Sequence, residues 1–398
     1  MSISEICILA FHLKAYYSLD KIIDLFFNGL SIAAIIIGVY LLVSGLNLKY
    51  VKTYYLKAWL VVIIIQISFY LVNINNILPY NITLNYFGFP LSLLHMPLFY
   101  LAVVDLTRIK KIKTLEVILH CFPYILIVLL LIYLDISSEN DVIVVNGFIG
   151  IPTDQPYFIR AYIGIPLALS GFIYALACLI VMQIYKKQLK NKLSNTDAYQ
   201  LHWISYLVWT IIILFILIYS VISASSDFSL IESSQTFKLV NIFLFFFLLF
   251  FGVKYQQQLI YFIKNNIKPL TTDTKLKYSH SALQLEDMKV ISEKLNNLMI
   301  TESIYLDEYL SLQQVSELLN ETTQNISQTL NTFLETNFYN YVNAFRLELA
   351  EKKLIDSEYS KLSIIGIAMD CGFKSKSTFY KLFKQKTGKT PSEYRNLE

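Results

Sequence analysis

Charge is what this chain has least of. Only 16% of its 398 residues are Asp, Glu, Lys or Arg, against roughly 25% in a soluble globular domain. The deficit is uneven. Nearly all long apolar runs precede Gly252 and most of the charge follows it. The net charge of +4 therefore says little, and its distribution says much. Cysteine is also scarce. Cys7, Cys121, Cys178 and Cys371 stand at neither metal nor disulfide spacing, which excludes a disulfide framework and a zinc site. Cys121 and Cys178 lie in apolar runs, where a thiol is a small hydrophobe. Paired carboxylates, a metal-ligand cluster, a phosphate-cradling glycine loop and a nucleophile motif are missing too, so no enzyme, no metal and no cofactor are expected. No basic region precedes the first apolar residues and no small-residue cleavage site follows, so a cleaved signal peptide is not expected.

What is present is a series of apolar runs. Seven fall at roughly 22–43, 58–77, 84–105, 117–135, 162–184, 202–223 and 237–254, and about 20 apolar residues cross a bilayer core. The third is interrupted by Pro90 and Pro97, and the second carries Gln66. The loops between them alternate in charge. Lys49, Lys52 and Lys57 follow the first run, Arg108, Lys110, Lys111 and Lys113 the third, and Lys186, Lys187, Lys190 and Lys192 the fifth. The other loops are poor in base: Asp135, Glu139, Asp141 and Asp154 follow the fourth run, Asp227 and Glu232 the sixth. Basic loops stay in the cytoplasm. Seven crossings then put the N-terminus outside a cell inner membrane and roughly 140 C-terminal residues inside.

Polar groups deep in the runs are few: Gln66, His95 and His120. Intramembrane ionisable groups mark functional sites, but a single His facing a neighbouring helix reads first as a satisfied structural donor. No chain of acids crosses the runs and no matched broken-helix signals occur. A transporter or channel with a regulatory cytoplasmic domain is thus the alternative rather than the leading reading. Two outward segments, 1–21 with His12, Tyr16 and Tyr17, and 136–161 with Phe148, Tyr157 and Phe158, offer either a pocket mouth or a short lid over loop backbone.

The composition then changes. Residues 255–283 are polar after the first turns, broken by Pro269, and read as a linker. A helical period resumes near Leu283, with Met288, Ile291, Leu295, Leu298 and Met299 on one face. This helix opens a C-terminal domain; a short dimer-forming coil is the lesser reading.

Residues 284–398 contain a near-repeat. Leu310, Leu312, Val315, Ser316 and Asn320 match Leu362, Ile364, Ile367, Ala368 and Gly372 at an offset of 52. After the turn the offset is 53: Thr322 matches Ser375, Ile326 matches Phe379, and Leu330 matches Phe383. Each match has a physical role. Ser316 and Ala368 let two helices cross closely. Asn320 and Gly372 tolerate a left-handed turn. Thr322 and Ser375 cap a second helix, and the apolar pairs are its buried stripe. The result is two helix-turn-helix units, about 310–334 and about 363–386. Between them a helix of about 338–356, capped by Asn337, presents Phe338, Tyr341, Val342, Phe345, Leu349 and Leu354. About 19 residues at 1.5 Å make a rod of about 28 Å, which suits two successive major grooves about 34 Å apart. The expected architecture is all-α: a seven-helix transmembrane domain over 1–254, the linker, and this domain.

The phrases Phe338-Tyr-Asn-Tyr-Val-Asn-Ala-Phe-Arg346, Ile367-Ala-Met-Asp-Cys-Gly372-Phe373-Lys-Ser375 and Gly388-Lys-Thr-Pro391-Ser-Glu-Tyr394-Arg395 resemble the AraC-type DNA-binding domain. The layout of the whole chain resembles membrane-bound AraC-type regulators of the Bacteroidetes group. The resemblance implies base-reading positions at Gln324, Ser327 and Gln328 in the first unit and at Lys376, Ser377, Tyr380 and Lys381 in the second. Their spacing away from the apolar stripe agrees. Gln suits adenine and Lys suits guanine acceptors. Lys374, Lys384, Lys386 and Arg395 belong to a basic run with a single acid, Glu393, and are phosphate candidates. Arg346 admits two roles, a structural ion pair or a phosphate contact. Glu335 stands where many members carry Gly, a departure that points to a differently shaped turn. The implied function is a one-component transcription regulator that reads double-stranded DNA under control of a signal molecule or membrane partner. RNA polymerase and a second copy of the chain are further partners of such a regulator, although two reading helices per chain do not require a dimer.

Overall fold

A computed structural model of the protein describes residues 3–44, 54–75, 87–137, 143–145, 148–150, 158–199, 201–224, 245–246, 248–254, 256–257 and 283–396. The expected linker lies almost wholly outside the described residues, as do the side chains of 1–20. Two compact units result. One comprises Met1–Val181 with His202–Thr272, the other Met182–Leu201 with Asp273–Glu398. Residues 182–201 thus group with the C-terminal domain, which the apolar pattern gave no reason to expect.

The first unit is built from α1 (Ile3–Ser44), α2 (Tyr54–Ile74), α3 (Ser92–Thr107), α4 (Thr114–Ser137), most of α5 (Phe158–Lys192) and α6 (His202–Ala224). Among the described residues three stretches are long and apolar enough to cross a membrane: Lys21–Val43, Thr114–Tyr133 and Leu169–Lys192. Shorter apolar helices cover Tyr54–Phe69, Ser92–Thr107 and His202–Ile213. Six of the seven runs therefore fall on helices. For the seventh, 248–254 is helical and the start of the run is outside the described residues. Pro97 lies inside α3, and Pro90 lies at the start of a single 3-10 turn before it, where its missing N–H costs no helical hydrogen bond. Among the described residues the regular structure is otherwise helical, with one exception. Strands β1 (Ile143–Val145) and β2 (Phe148–Gly150) pair antiparallel within the expected lid segment.

Inside this unit α2 packs between α1 and α3. His95 and Gln66 hydrogen-bond to each other. His120 Nδ1 lies 2.7 Å from the Tyr174 hydroxyl, with Tyr100 packed edge-on against the imidazole. Each of these two histidines has a polar partner on another helix, which fits the structural reading of both.

The second unit contains α7 (Leu285–Glu302), α8 (Leu312–Leu319), α9 (Thr323–Gln328, continued by a π-turn over Thr329–Phe333), α10 (Phe338–Ile355), α11 (Ile364–Asp370), α12 (Lys376–Thr387) and α13 (Pro391–Arg395). Local chemistry sets each start. Gln284 and Asp287 form a capping box on α7. Ser311 with Gln314, and Thr390 with Glu393, form the same box on α8 and α13. Thr322, Asn337, Ser363 and Ser375 accept from the backbone N–H three residues on. Each such cap is worth about 1 kcal/mol.

Two apolar cores follow. Ile291, Leu295 and Met299 of α7 pack with Leu312, Val315, Ile326, Leu330, Phe338 and Val342. Leu347, Ala350 and Leu354 pack with Ile367, Ala368, Phe379 and Phe383. Helix α10 is therefore shared, its first half in one core and its second half in the other. The apolar face of α7 is consumed within the chain, which removes the basis for a dimer-forming coil. Leu362 departs from its repeat partner. Leu310 is buried while Leu362 is 40% exposed.

Candidate nucleic-acid interface

The two turns form as the repeat requires. Asn320 has φ 53° and Gly372 has φ 86°. Ser316 Oγ adds a bond to the Glu321 carbonyl across the first turn. Glu335 also sits left-handed, at φ 48°. The turn before α10 thus keeps the backbone that a glycine would adopt, and the expectation of a different shape is corrected. The Leu330 carbonyl accepts from the Thr336 N–H and holds the chain there. A non-glycine residue in this region carries roughly 1–2 kcal/mol of steric cost. Glu335→Gly is therefore expected to stabilise the chain by about 0.5–1 kcal/mol after the added flexibility of the unfolded state. A rise in melting temperature of the full chain in detergent micelles would register it.

The second reading helix, α12, presents its expected side chains. Lys376, Ser377 and Lys381 are exposed and Tyr380 is half-buried, with Lys376 Nζ 5.3 Å from the Tyr380 ring centre. Phe379 and Phe383 are fully buried on the opposite side. The first unit differs. Gln324 is exposed, but Ser327 and Gln328 are only 4% and 8% exposed. Ser327 Oγ is engaged by Asn331 Nδ2 at 3.2 Å. The assumption that both point outward is corrected in this state of the molecule. Ser327 follows the buried Ile326 by one residue, and α7 packs against this helix and its π-turn.

The four phosphate candidates divide. Lys384 is exposed. Lys386 pairs with Glu351 of α10 at 2.9 Å. Lys374 Nζ stands 3.8 Å from the Tyr309 ring centre and 3.8 Å from Glu308, so it joins the two units of the domain. Arg395 donates through Nη1 to the Leu362 carbonyl and ties α13 to the segment before α11.

Arg346 takes neither of the roles foreseen for it. It is 1% exposed. Nε donates to the Tyr305 carbonyl at 2.6 Å and Nη2 to the Asp307 carbonyl at 2.8 Å. Nη1 and Nη2 also reach the Ser194 carbonyl and hydroxyl. Burial pulls its pKa down to about 10, which leaves it charged at neutral pH. Carbonyl groups, rather than a carboxylate, satisfy the cation.

Ser194 belongs to a site that the sequence reading missed. Leu193 bridges to Ser311, and both the Ser194 N–H and hydroxyl donate to the Leu310 carbonyl, at 3.1 and 2.7 Å. Asn343 Nδ2 donates to the Ser194 carbonyl at 3.1 Å. Further along, the Thr378 hydroxyl of α12 lies 2.8 and 3.0 Å from the two carboxylate oxygens of Asp197. Lys190 sits over the Tyr339 ring. Burial first, and the Asp197 charge second, push the Tyr339 phenol up to about 12. The segment has no motif; only its basic flank and its Ser-Asn-Thr-Asp polarity stood out from the apolar runs. Among the described residues no group of three His, Cys, Asp or Glu could hold a metal ion.

Comparison with known proteins bears on the C-terminal domain. Residues 315–397 match the family described as "Helix-turn-helix domain". Uncharacterised HTH-type transcriptional regulators of Staphylococcus aureus, from strains COL and MSSA476, are 30% identical over 103 residues. That stretch is 26% of this chain and 13% of each relative. The chain thus spans a small part of the length of the curated relatives it matches. No solved structure matches it. Residues 315–397 are a helix-turn-helix domain, the kind of module through which transcription regulators bind double-stranded DNA, as the AraC-type phrases implied.

Proposed function

We propose that the protein is a membrane-embedded one-component transcription regulator, which reads promoter DNA with its C-terminal domain under control of its membrane half. The observation that carries this reading is the coexistence, in one chain, of a helix-turn-helix domain and helices suited to a bilayer. Helix α1 exposes Ile32 and Ile36, and α4 exposes Leu126 and Leu129, an outward apolar surface that water would leave unsupported and lipid would cover. Seven crossings, with the N-terminus outside, fit the alternation of basic loops. They place the DNA-binding domain on the side of the inner membrane where bacterial DNA is found. The regulators from Staphylococcus aureus lend the transcriptional reading support through the 103 residues over which they match the chain. The stimulus acts by favouring one of two arrangements of the head, which requires a different affinity for each.

The test is binding of the full chain, in lipid nanodiscs, to duplexes enriched from a randomised pool. Lys381→Ala is expected to lose about 1–3 kcal/mol on the enriched duplex and to relax selection at one position. Lys384→Ala is expected to weaken all duplexes alike and to reduce the salt slope by about one. Absence of any enriched sequence sinks the reading. A basal topology with the C-terminus outside, found by labelling engineered cysteines from either face, would sink its membrane half.

A further inference from the structure

We propose that residues 193–199, which join α5 to α6, are an autoinhibitory latch seated on the DNA-binding domain, closed in this structure and opened to release the second reading helix for DNA. The inference rests on the regulator reading above and adds where control is exerted.

Three observations carry it. The first is that the seat is built. Ser194 is 1% exposed and Thr196 4%, and Ser194 is bonded to Leu310, Asn343 and Arg346 at once. The second comes from the internal repeat. Leu310 and Leu362 are repeat partners, and the carbonyl of each is capped by a side chain from elsewhere. In the second unit the cap is Arg395, from the domain's own last helix. In the first unit it is Ser194, from the membrane half of the sequence. A position that one unit fills from within is filled in the other by the connector.

The third observation is where the far end of the connector lands. Asp197 grips Thr378, the third residue of α12. The amino end of a helix favours an anion through its unpaired N–H groups and its dipole. In a DNA complex that anion is a backbone phosphate, and the neighbouring Lys376 and Ser377 are base-reading candidates. A carboxylate held there takes the phosphate's place and repels DNA from the same turn. Helix α5 runs from Phe158 to Lys192 and leads directly into the connector at Leu193. Tyr185 fixes the return, its hydroxyl donating to the Tyr199 carbonyl at 3.0 Å.

Two experiments on the full chain in nanodiscs test this. The first replaces Asp197 and Thr378 together with cysteine, in a background with Cys7, Cys121, Cys178 and Cys371 changed to serine or alanine. The expected result is a disulfide under mild oxidation, loss of binding to a duplex enriched from a randomised pool, and recovery on reduction. Failure to form the disulfide, or unchanged binding when it has formed, overturns the latch. The second is Asp197→Ala, expected to tighten binding to that duplex by about tenfold, equal to about 1.4 kcal/mol. Asp197→Asn is expected to fall between, because it keeps an acceptor and loses the charge. Weaker or unchanged binding by Asp197→Ala would mean that the connector is a strut. If no variant enriches any duplex, the DNA reading fails and the latch with it; if the duplex binds and these variants do not differ, only the latch fails.

Discussion

Gly372→Ala is expected to destabilise the DNA-binding domain by about 3 kcal/mol or more. The residue lies at φ 86°, and a Cβ there would stand 2.6 Å from the Tyr305 carbonyl and 2.9 Å from the Leu306 carbonyl. Left-handed backbone alone costs an alanine roughly 1–2 kcal/mol. The clash adds to this because both obstructing atoms are main chain, which cannot rotate away. The damage is not local to the second unit. Tyr305 and Leu306 precede the first unit, so the substitution pushes the two units apart at the point where they meet. Native-state hydrogen exchange of the full chain would locate the effect, as faster exchange at the Leu306 and Leu310 amides together with that of α11. Protection unchanged in the first unit would contradict this account. By contrast, Gly388→Ala meets no atom within 4 Å, although it shares the positive φ, and should cost only the backbone strain, about 1–2 kcal/mol.

Arg346→Ala is expected to cost about 3 kcal/mol or more. A hydrogen bond to a charged group contributes roughly 1.5–3 kcal/mol, and a buried acceptor left without a partner loses a similar amount. The Tyr305 and Asp307 carbonyls would both lose a donor, and Ser194 would lose two. Arg346→Lys should recover only part, since an ammonium lacks the planar fork that reaches several carbonyls at once. Because Gly372 and Arg346 both abut the Tyr305 carbonyl, with only 3.0 Å available between a Cβ at 372 and the Arg346 Nε, their double variant should cost clearly less than the summed singles. Additive costs in a denaturation cycle would mean that the two residues act separately. Arg346→Lys should also loosen the connector, which the Asp197–Thr378 cysteine pair would report as slower disulfide formation.

Much of the DNA-binding half was legible because its signals are local. A cap acts over three residues, a helical stripe over four, and a left-handed turn within one. Asn320, Thr322, Gly372 and Ser375 therefore take their expected roles, and α10 begins at its predicted cap, Asn337. At Glu335 the missing glycine suggests a different turn, whereas the surrounding structure holds a glutamate in the same strained backbone. The signals at Ser327, Gln328, Lys374 and Arg395 are only a place beside a stripe or in a basic run. Neither property says what else packs on that side chain.

Taken alone, the sequence determined where the apolar runs and basic loops fall, and that the last hundred or so residues repeat a helix-turn-helix. Those properties follow from residue type at short spacing. Only the tertiary structure decided that residues 182–201 join the C-terminal unit, that Arg346 is held 152 residues along the chain by Ser194, and that Asp197 meets a reading helix. Pairings of that kind depend on which surfaces are brought together at long separation. No periodicity records them, since a serine, an asparagine and an aspartate in a short polar loop look alike until something packs on them.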